Sequence, residues 1–140
     1  MIDHLTLTVR DLQRSVAFYS RALAPLGYGV SMRFEQFVGM GTKQKPAFWL
    51  KPGPTPSTPM HLAFVAPSRT GVDGFHAEAL GAGAQDNGPP GLRPHYHRHY
   101  YGAFIIDPDG HNIEAVCHAP PAAPKPAPKR AGATKRRAKR

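Results

Sequence analysis

Hydrophobic and polar positions along residues 1–51 predict one strand, one helix and three further strands. Residues 2–9 alternate, which puts His4 and two threonines on one face of a strand and leucine and valine on the other. Asp11 is a good helix N-cap, and the apolar residues after it recur at helical spacing until Gly27. The strand-like segments that follow are 28–34, 37–40 and 46–50.

Residues 60–118 repeat this order of elements. An offset of 57 residues aligns His4 with His61, and the strand 61–65 precedes a helix that begins at Ser68. The remaining predicted segments are strands at 84–86, 100–106 and 112–117, a loop at 87–91 and a turn at 107–110. The repeat predicts an α+β fold of two paired βαβββ modules that form a curved mixed sheet around a cavity.

Composition divides the chain into one domain and a tail. The predicted domain covers residues 1–118, with modules at about 1–51 and 60–118, and residues 119–140 form a Pro-, Ala-, Lys- and Arg-rich tail that we expect to be disordered. Eight of the 18 basic residues and none of the nine acidic ones lie in 125–140, so the net charge of +9 falls to +1 over 1–124. A polyanion contact, with nucleic acid for example, is therefore expected only through the tail and without sequence specificity.

Several classes of protein are excluded by composition. The sequence has no apolar stretch long enough for a transmembrane helix, and its beginning lacks the basic and apolar segments of a signal peptide. The single cysteine, Cys117, excludes an internal disulfide framework and a thiolate zinc cluster. We therefore expect a cytoplasmic protein with no membrane partner.

Two histidines and one carboxylate form a candidate metal site. His4 and His61 open equivalent strands, and Glu114 lies in the apolar last strand. Two imidazoles and a carboxylate make a facial triad with open positions, which suits one divalent ion of Fe, Mn, Ni, Zn or Co. A carboxylate buried without a partner is costly, so a cation beside Glu114 would explain its position, although an alternating strand also allows it to face water. Any single histidine is more often structural than a ligand.

Residues 94–101 hold three histidines and three tyrosines just before a predicted strand. The functional interpretation is a pocket wall in which His97 and Tyr100 donate and accept protons near the metal. Alternation puts Tyr100 and Phe104 on one face, with Trp49 as an apolar wall opposite. The structural alternative is that the tyrosines pack and the histidines are exposed. His111, which follows the turn glycine, is also expected to be exposed.

Two motifs resemble those of a known superfamily. Residues 4–19 look like the opening of the vicinal oxygen chelate superfamily, and residues 107–114 resemble the ending that it shares. The group contains glyoxalase I, extradiol dioxygenases, fosfomycin-modifying enzymes and bleomycin-binding resistance proteins. The resemblance implies that His4, His61 and Glu114 occupy metal-ligand positions. It also implies a homodimer, since members often pair and sometimes build one site from two chains.

The sequence departs from two members of this superfamily at positions that matter. Trp49 stands where glyoxalase I has a fourth, glutamate ligand, and Phe104 stands where extradiol dioxygenases have a tyrosine. Trp49 cannot bind a metal, and Phe104 lacks a hydroxyl that could bind a catecholate. These departures count against both reactions.

Two functions therefore remain open for the domain, besides a weaker third alternative in which the domain is a scaffold and the basic tail is the active part. The first is a divalent-metal-dependent enzyme, a lyase, isomerase or dioxygenase, that acts on a small substrate through its oxygens. In it Glu114, His97 and Tyr100 would be catalytic, while the residues expected to bind substrate are Trp49, Phe104 and Tyr100. The alternative is a metal-independent protein that binds and sequesters a small molecule, as bleomycin-resistance proteins do.

Overall fold

A computed structural model describes residues 2–43, 45–54 and 58–121 of the chain. Within these residues the elements are, in chain order, β1 (Leu5–Val9), α1 (Leu12–Ala22), a short 3-10 helix (Ala24–Leu26), β2 (Gly29–Phe34), β3 (Phe37–Thr42), β4 (Lys45–Pro52), β5 (His61–Val65), α2 (Arg69–Gly81), β6 (Gln85–Leu92), β7 (Tyr101–Ile106) and β8 (Asn112–Cys117). The predicted pair of βαβββ modules is confirmed. Residues 55–57, which lie between the two predicted modules, and most of the predicted tail, 122–140, lie outside the described residues.

Each module builds one four-stranded mixed sheet. The strand orders are β1-β4-β3-β2 and β5-β8-β7-β6. The first strand of each module pairs in parallel with the last, and the other pairs are antiparallel. Both β1 and β5 are therefore edge strands within the described chain.

One face of each sheet packs against the helices, and we call the opposite face the helix-free face. Leu7 and Leu50, which pair across β1 and β4, are buried in the core. His4 and Trp49 alternate with such residues and lie on the helix-free face of the first sheet. In the second sheet Ile113 points into the core. Because side chains alternate along each strand, one set packs against the helices and the other lies on the helix-free face.

Local side-chain caps begin both helices where the sequence predicts them. The Asp11 carboxylate accepts a hydrogen bond from the backbone N–H of Arg14, and the Ser68 hydroxyl accepts one from Gly71. Gly27 ends the first helical region with a φ of 83°, in the left-handed region that favours glycine. In the described part of the chain, neither helix has the length and apolar character needed to cross a bilayer.

The predicted loop at 87–91 is wrong, because these residues belong to β6. Gly88 pairs with Phe104 and Gly91 with Gly102, with irregular register between them. Two prolines lie in this strand, and a proline has no N–H to donate to a neighbour. They are tolerated because β6 is the outer strand of its sheet.

Two buried carboxylates join the modules. The Tyr19 hydroxyl of α1 donates to Asp107 (2.5 Å), while Arg10 Nε (2.8 Å) and the Ser15 hydroxyl (3.4 Å) donate to Asp109. Both aspartates lie in the turn before β8 and are buried. Burial, together with the Asp107 carboxylate, raises the pKa of Tyr19, so this phenol stays protonated and remains a donor.

His111 is fully buried, so its predicted exposure is wrong. Its backbone N–H donates to Asp107 (2.8 Å), and its Nδ1 accepts from the backbone N–H of Met60 (3.1 Å). Met60 precedes β5, at a distance of 51 residues along the chain. A position just after a turn glycine carries no local sign of this distant contact.

Tyr19→Phe should lower the free energy of unfolding by about 1.5–3 kcal/mol, because it leaves one buried Asp107 oxygen without its donor. Urea denaturation at pH 7 measures the change. Tyr28→Phe is the matched control, since the Tyr28 hydroxyl forms no hydrogen bond among the described residues. Equal stability of the two variants would contradict the joining role of this contact.

Candidate metal and ligand site

His61 and Glu114 meet on the helix-free face of the second sheet. Ala63 of β5 pairs with Glu114 of β8, so Glu114 lies beside the strand that begins with His61. His61 Nε2 and Glu114 Oε2 are 3.2 Å apart. The Glu114 side chain is only 2% exposed, whereas that of His61 is 52% exposed. The pair therefore combines a buried carboxylate with an imidazole open to solvent.

Tyr100 is the partner of the other carboxylate oxygen of Glu114. Its hydroxyl donates a hydrogen bond to Glu114 Oε1. A Cβ on Gly102 would lie 3.1 Å from this oxygen and 3.2 Å from the Tyr100 ring, so a glycine leaves room for both groups. Partial burial and the Glu114 carboxylate raise the pKa of Tyr100 well above its ordinary value. At neutral pH Tyr100 is consequently a hydrogen-bond donor and not a base.

Two asparagines, which the sequence did not single out, extend this network. Asn87 Nδ2 donates to Asn112 Oδ1 (3.2 Å), and Asn112 Nδ2 donates to His61 Nδ1 (2.7 Å). A neutral imidazole that accepts at Nδ1 carries its proton on Nε2, where it faces Glu114. Asn112 stands two residues before Glu114 on β8, so strand alternation alone places both side chains on the same face of the sheet. Asn87 comes from β6, and no local signal points to it.

His4 lies in a different place. It lines a pocket of about 320 Å³ on the first sheet, together with Thr6, Phe34, Phe37 and Trp49. Its Nδ1 is 3.0 Å from an Asp3 oxygen. Hydrogen bonds from Lys45 and then from His4 hold the pKa of the Asp3 carboxyl below its usual range. No group of three or more His, Cys, Asp or Glu side chains able to hold a metal occurs within the residues described for one chain. The expected triad is thus not assembled within one chain.

The two predicted aromatic walls also lie on different sheets. Trp49 packs over Gly39, where a Cβ would come within 3.0 Å of the indole ring. Phe104 is near-parallel to the His61 ring, with centroids 6.2 Å apart, and the Arg93 guanidinium carbon lies 5.7 Å from its centroid. Trp49 therefore accompanies His4, and Phe104 accompanies His61 and Glu114.

His97 sits behind Tyr100 as seen from Glu114. Its ring contacts those of His99 and His118, each with a centroid separation of 6.0 Å, and the His118 ring lies 5.2 Å from that of Tyr100. Within the described residues, His97 makes no hydrogen bond to Glu114. Partial burial and the nearby Arg98 lower the pKa of His99. His118 joins this cluster, although no pattern in the sequence points to it.

The donor set at the second sheet fits a divalent metal ion. An imidazole nitrogen and a carboxylate oxygen 3.2 Å apart can both reach one ion at the usual distances of about 2.0–2.2 Å. The proton on His61 Nε2 occupies the place that such an ion would take. For metal binding, this proton would have to leave Nε2, with the ring protonated on Nδ1 instead. A rotated Asn112 amide would then accept from Nδ1–H, as partners of metal-bound histidines commonly do.

The paired modules and their open sheet faces define the glyoxalase-like class of α+β folds. Similar solved structures include a glyoxalase/bleomycin resistance protein from Albidiferax ferrireducens T118, with 30% identity, a TM-score of 0.67, and coverage of 82% of this chain and 96% of that one. A glyoxalase-related enzyme from Fulvimarina pelagi shares 24% identity, with a TM-score of 0.62 and coverage of 84% and 87%. A glyoxalase/bleomycin resistance protein/dioxygenase family enzyme from Burkholderia phytofirmans PsJN shares 20% identity, with a TM-score of 0.65 and coverage of 84% of this chain and 98% of that one.

The sequence comparison identifies the family. The model of the glyoxalase/bleomycin resistance protein/dioxygenase superfamily matches residues 1–115. The chain therefore belongs to this superfamily, and the resemblance of its two terminal motifs is confirmed. A search of curated proteins finds no match.

Asn112→Asp should put a proton on His61 Nδ1, because an aspartate carboxylate accepts hydrogen bonds but cannot donate one to Nδ1. In the metal-free protein, ¹⁵N NMR should show His61 Nδ1 without a proton in the wild type and with one in the variant. His111 is an internal reference, since a backbone N–H fixes its Nδ1 as an acceptor. An unchanged His61 spectrum would contradict the assigned network.

Proposed function

We propose that this protein is a divalent-metal-dependent enzyme whose substrate is a small molecule bound through two adjacent oxygens. The observation that carries this proposal is the Glu114 carboxylate, buried beside a solvent-exposed His61 with 3.2 Å between their nearest atoms. Burying a carboxylate is costly unless a partner compensates it, and metal ions are among the partners that do so. The accessible imidazole leaves one side of the pair open to solvent and substrate.

The proposal includes a homodimer in which His4 of a second copy completes the metal site. The edge strands β1 and β5 leave backbone groups available for pairing. Exposed apolar side chains accompany them, since Ile2 is 84% and Val65 is 66% exposed. Pairing β1 of one copy with β5 of another would extend both sheets and bring two helix-free faces together. His4 would then face the same cavity as His61 and Glu114.

The ion would be held by His61 and Glu114, with His4 from the second copy as the third ligand. A bound divalent ion supplies Lewis acidity, which stabilises negative charge on substrate oxygens. Tyr100 keeps its proton and orients Glu114 through their hydrogen bond. Trp49 and the two phenylalanines of its pocket would exclude water from the apolar part of the substrate. His97 contacts this site only through the cluster behind Tyr100.

A metal-independent binding protein is the second candidate. Two observations favour it: both Glu114 oxygens already have partners in the protein, and the first sheet carries an aromatic pocket without a carboxylate. In this case His61 keeps its Nε2 proton, and the ligand binds mainly through apolar contact with Trp49.

Metal content measured by mass spectrometry tests the enzyme proposal. We expect about one equivalent of Fe, Mn, Ni, Zn or Co per chain, with affinity reduced more than about ten-fold in His4→Ala, His61→Ala and Glu114→Ala. His76→Ala is the matched control, since His76 pairs with Asp86 away from this site. Equal metal binding by all variants would refute the ligand assignment.

Mixing two defective variants separates a shared site from a site within one chain. A dimer of His4→Ala with Glu114→Ala has one site with every ligand intact and one site that lacks both. After unfolding and random reassociation, about one quarter of all sites should regain wild-type affinity. No recovery in a sample shown to contain mixed dimers would contradict the shared site. Tight ligand binding in the presence of a chelator, with no effect of any triad variant, would favour the second candidate.

A further inference from the structure

Arg93 lies on the same helix-free face as the His61–Glu114 pair. It follows β6, and its guanidinium carbon lies 5.7 Å from the centroid of the Phe104 ring. Phe104 pairs directly with Glu114 across β7 and β8, so both side chains leave the sheet on one side. The His61 ring contacts the same phenylalanine from the β5 side. The Phe104 ring therefore lies between the candidate metal ligands and the guanidinium of Arg93.

Neutral backbone groups hold this guanidinium in place. Arg93 Nη2 donates to the Pro89 carbonyl (2.9 Å), and Nη1 donates to the Leu92 carbonyl (3.3 Å). A Cβ on Gly91 would lie only 2.8 Å from Nη1, and one on Gly88 would lie 3.6 Å from Nη2. The guanidinium therefore fits where β6 has glycines instead of side chains.

The charge of Arg93 is not neutralised within the described chain. None of the ion pairs among the described residues includes Arg93, and its two hydrogen bonds go to uncharged carbonyls. A guanidinium has five N–H donors in a planar fork, so donors remain for a further partner. A fork of this kind is well suited to a carboxylate or phosphate group.

We infer that Arg93 binds an acidic group of the substrate, which is therefore an organic anion. This inference rests on the proposed function, because it adds a second anchor to the same site. Glu114 lies on β8, whereas the guanidinium of Arg93 lies beside Gly88 and Gly91 of β6. These strands are two positions apart in the sheet, which corresponds to roughly 10 Å. The acidic group is accordingly separated from the two adjacent oxygens by about the width of one ring, which lies over Phe104.

Calorimetric binding of two matched probes to the full-length protein tests this inference. The probes are 3,4-dihydroxybenzoate and 3,4-dihydroxybenzamide, which share adjacent oxygens and a ring but differ in the charge at the far end. Each is measured with excess chelator and again with zinc, at pH 7.5 and low salt. We expect the wild type to bind the benzoate about 10- to 100-fold more tightly than the benzamide. High salt should reduce this preference.

Four variants locate the preference. Arg93→Gln should abolish it by weakening benzoate binding far more than benzamide binding, whereas Arg98→Gln, which removes a neighbouring exposed arginine, should retain it. Gly91→Ala keeps every charge but puts a methyl group where Nη1 lies, so it should reduce the preference. Arg93→Lys keeps the charge without the fork and should retain only part of it. Circular dichroism confirms that each variant is folded.

The two conditions separate this inference from the proposed function. A preference for the benzoate that depends on Arg93 with chelator present supports the anion anchor, even if zinc changes neither affinity and the metal proposal fails. Equal affinities of the two probes for the wild type overturn the anchor, and so does an equal loss in Arg98→Gln. Absence of binding of both probes at millimolar concentration also overturns it. A gain in affinity on adding zinc supports the metal proposal whichever result the anchor gives.

Discussion

Two buried carboxylates in the turn before β8 fix how the modules sit on each other. A buried charge must be compensated, and here the compensation comes from the other module, through Tyr19, Ser15 and Arg10. The pairing holds α1 against the second module, where Arg21 of α1 also reaches Glu78 of α2. The helices thus pack together, and each sheet keeps one face free of them. The same turn begins the strand that carries Glu114.

The candidate metal site follows from how this free face satisfies its polar groups. Each side chain in the chain Asn87–Asn112–His61–Glu114–Tyr100 has a polar partner, and Glu114 is almost completely buried. Such networks are costly when only partly satisfied, so the network constrains each member strongly. It also places a proton between His61 and Glu114. A metal ion held by this pair, as proposed above, would take the place of that proton.

The two sheets carry complementary chemistry. The first sheet offers an aromatic pocket with one exposed histidine, His4, whereas the second offers a carboxylate, an imidazole and the guanidinium of Arg93. The second face offers apolar contact through Phe104, whereas the first carries the aromatic side chains of Phe34, Phe37 and Trp49. Small-molecule sites usually combine such an apolar lining with a few polar anchors. Joined across two copies, the faces would supply both.

Sequence alone determined what depends on local chemistry: the caps at Asp11 and Ser68, the strands β5 and β8, the repeated module and the face on which His61 and Glu114 lie. Alternation and capping act over a few residues, so the chain encodes them directly. It did not determine the path of β6, the burial of His111 or the separation of His4 from the other two candidate ligands. These features depend on contacts between residues far apart in sequence. Pairing with β7 decided the first, and contacts with Asp107 and Met60 accompany the second, both within the second module. The arrangement of the two modules decided the third, because no local pattern records which distant groups come together.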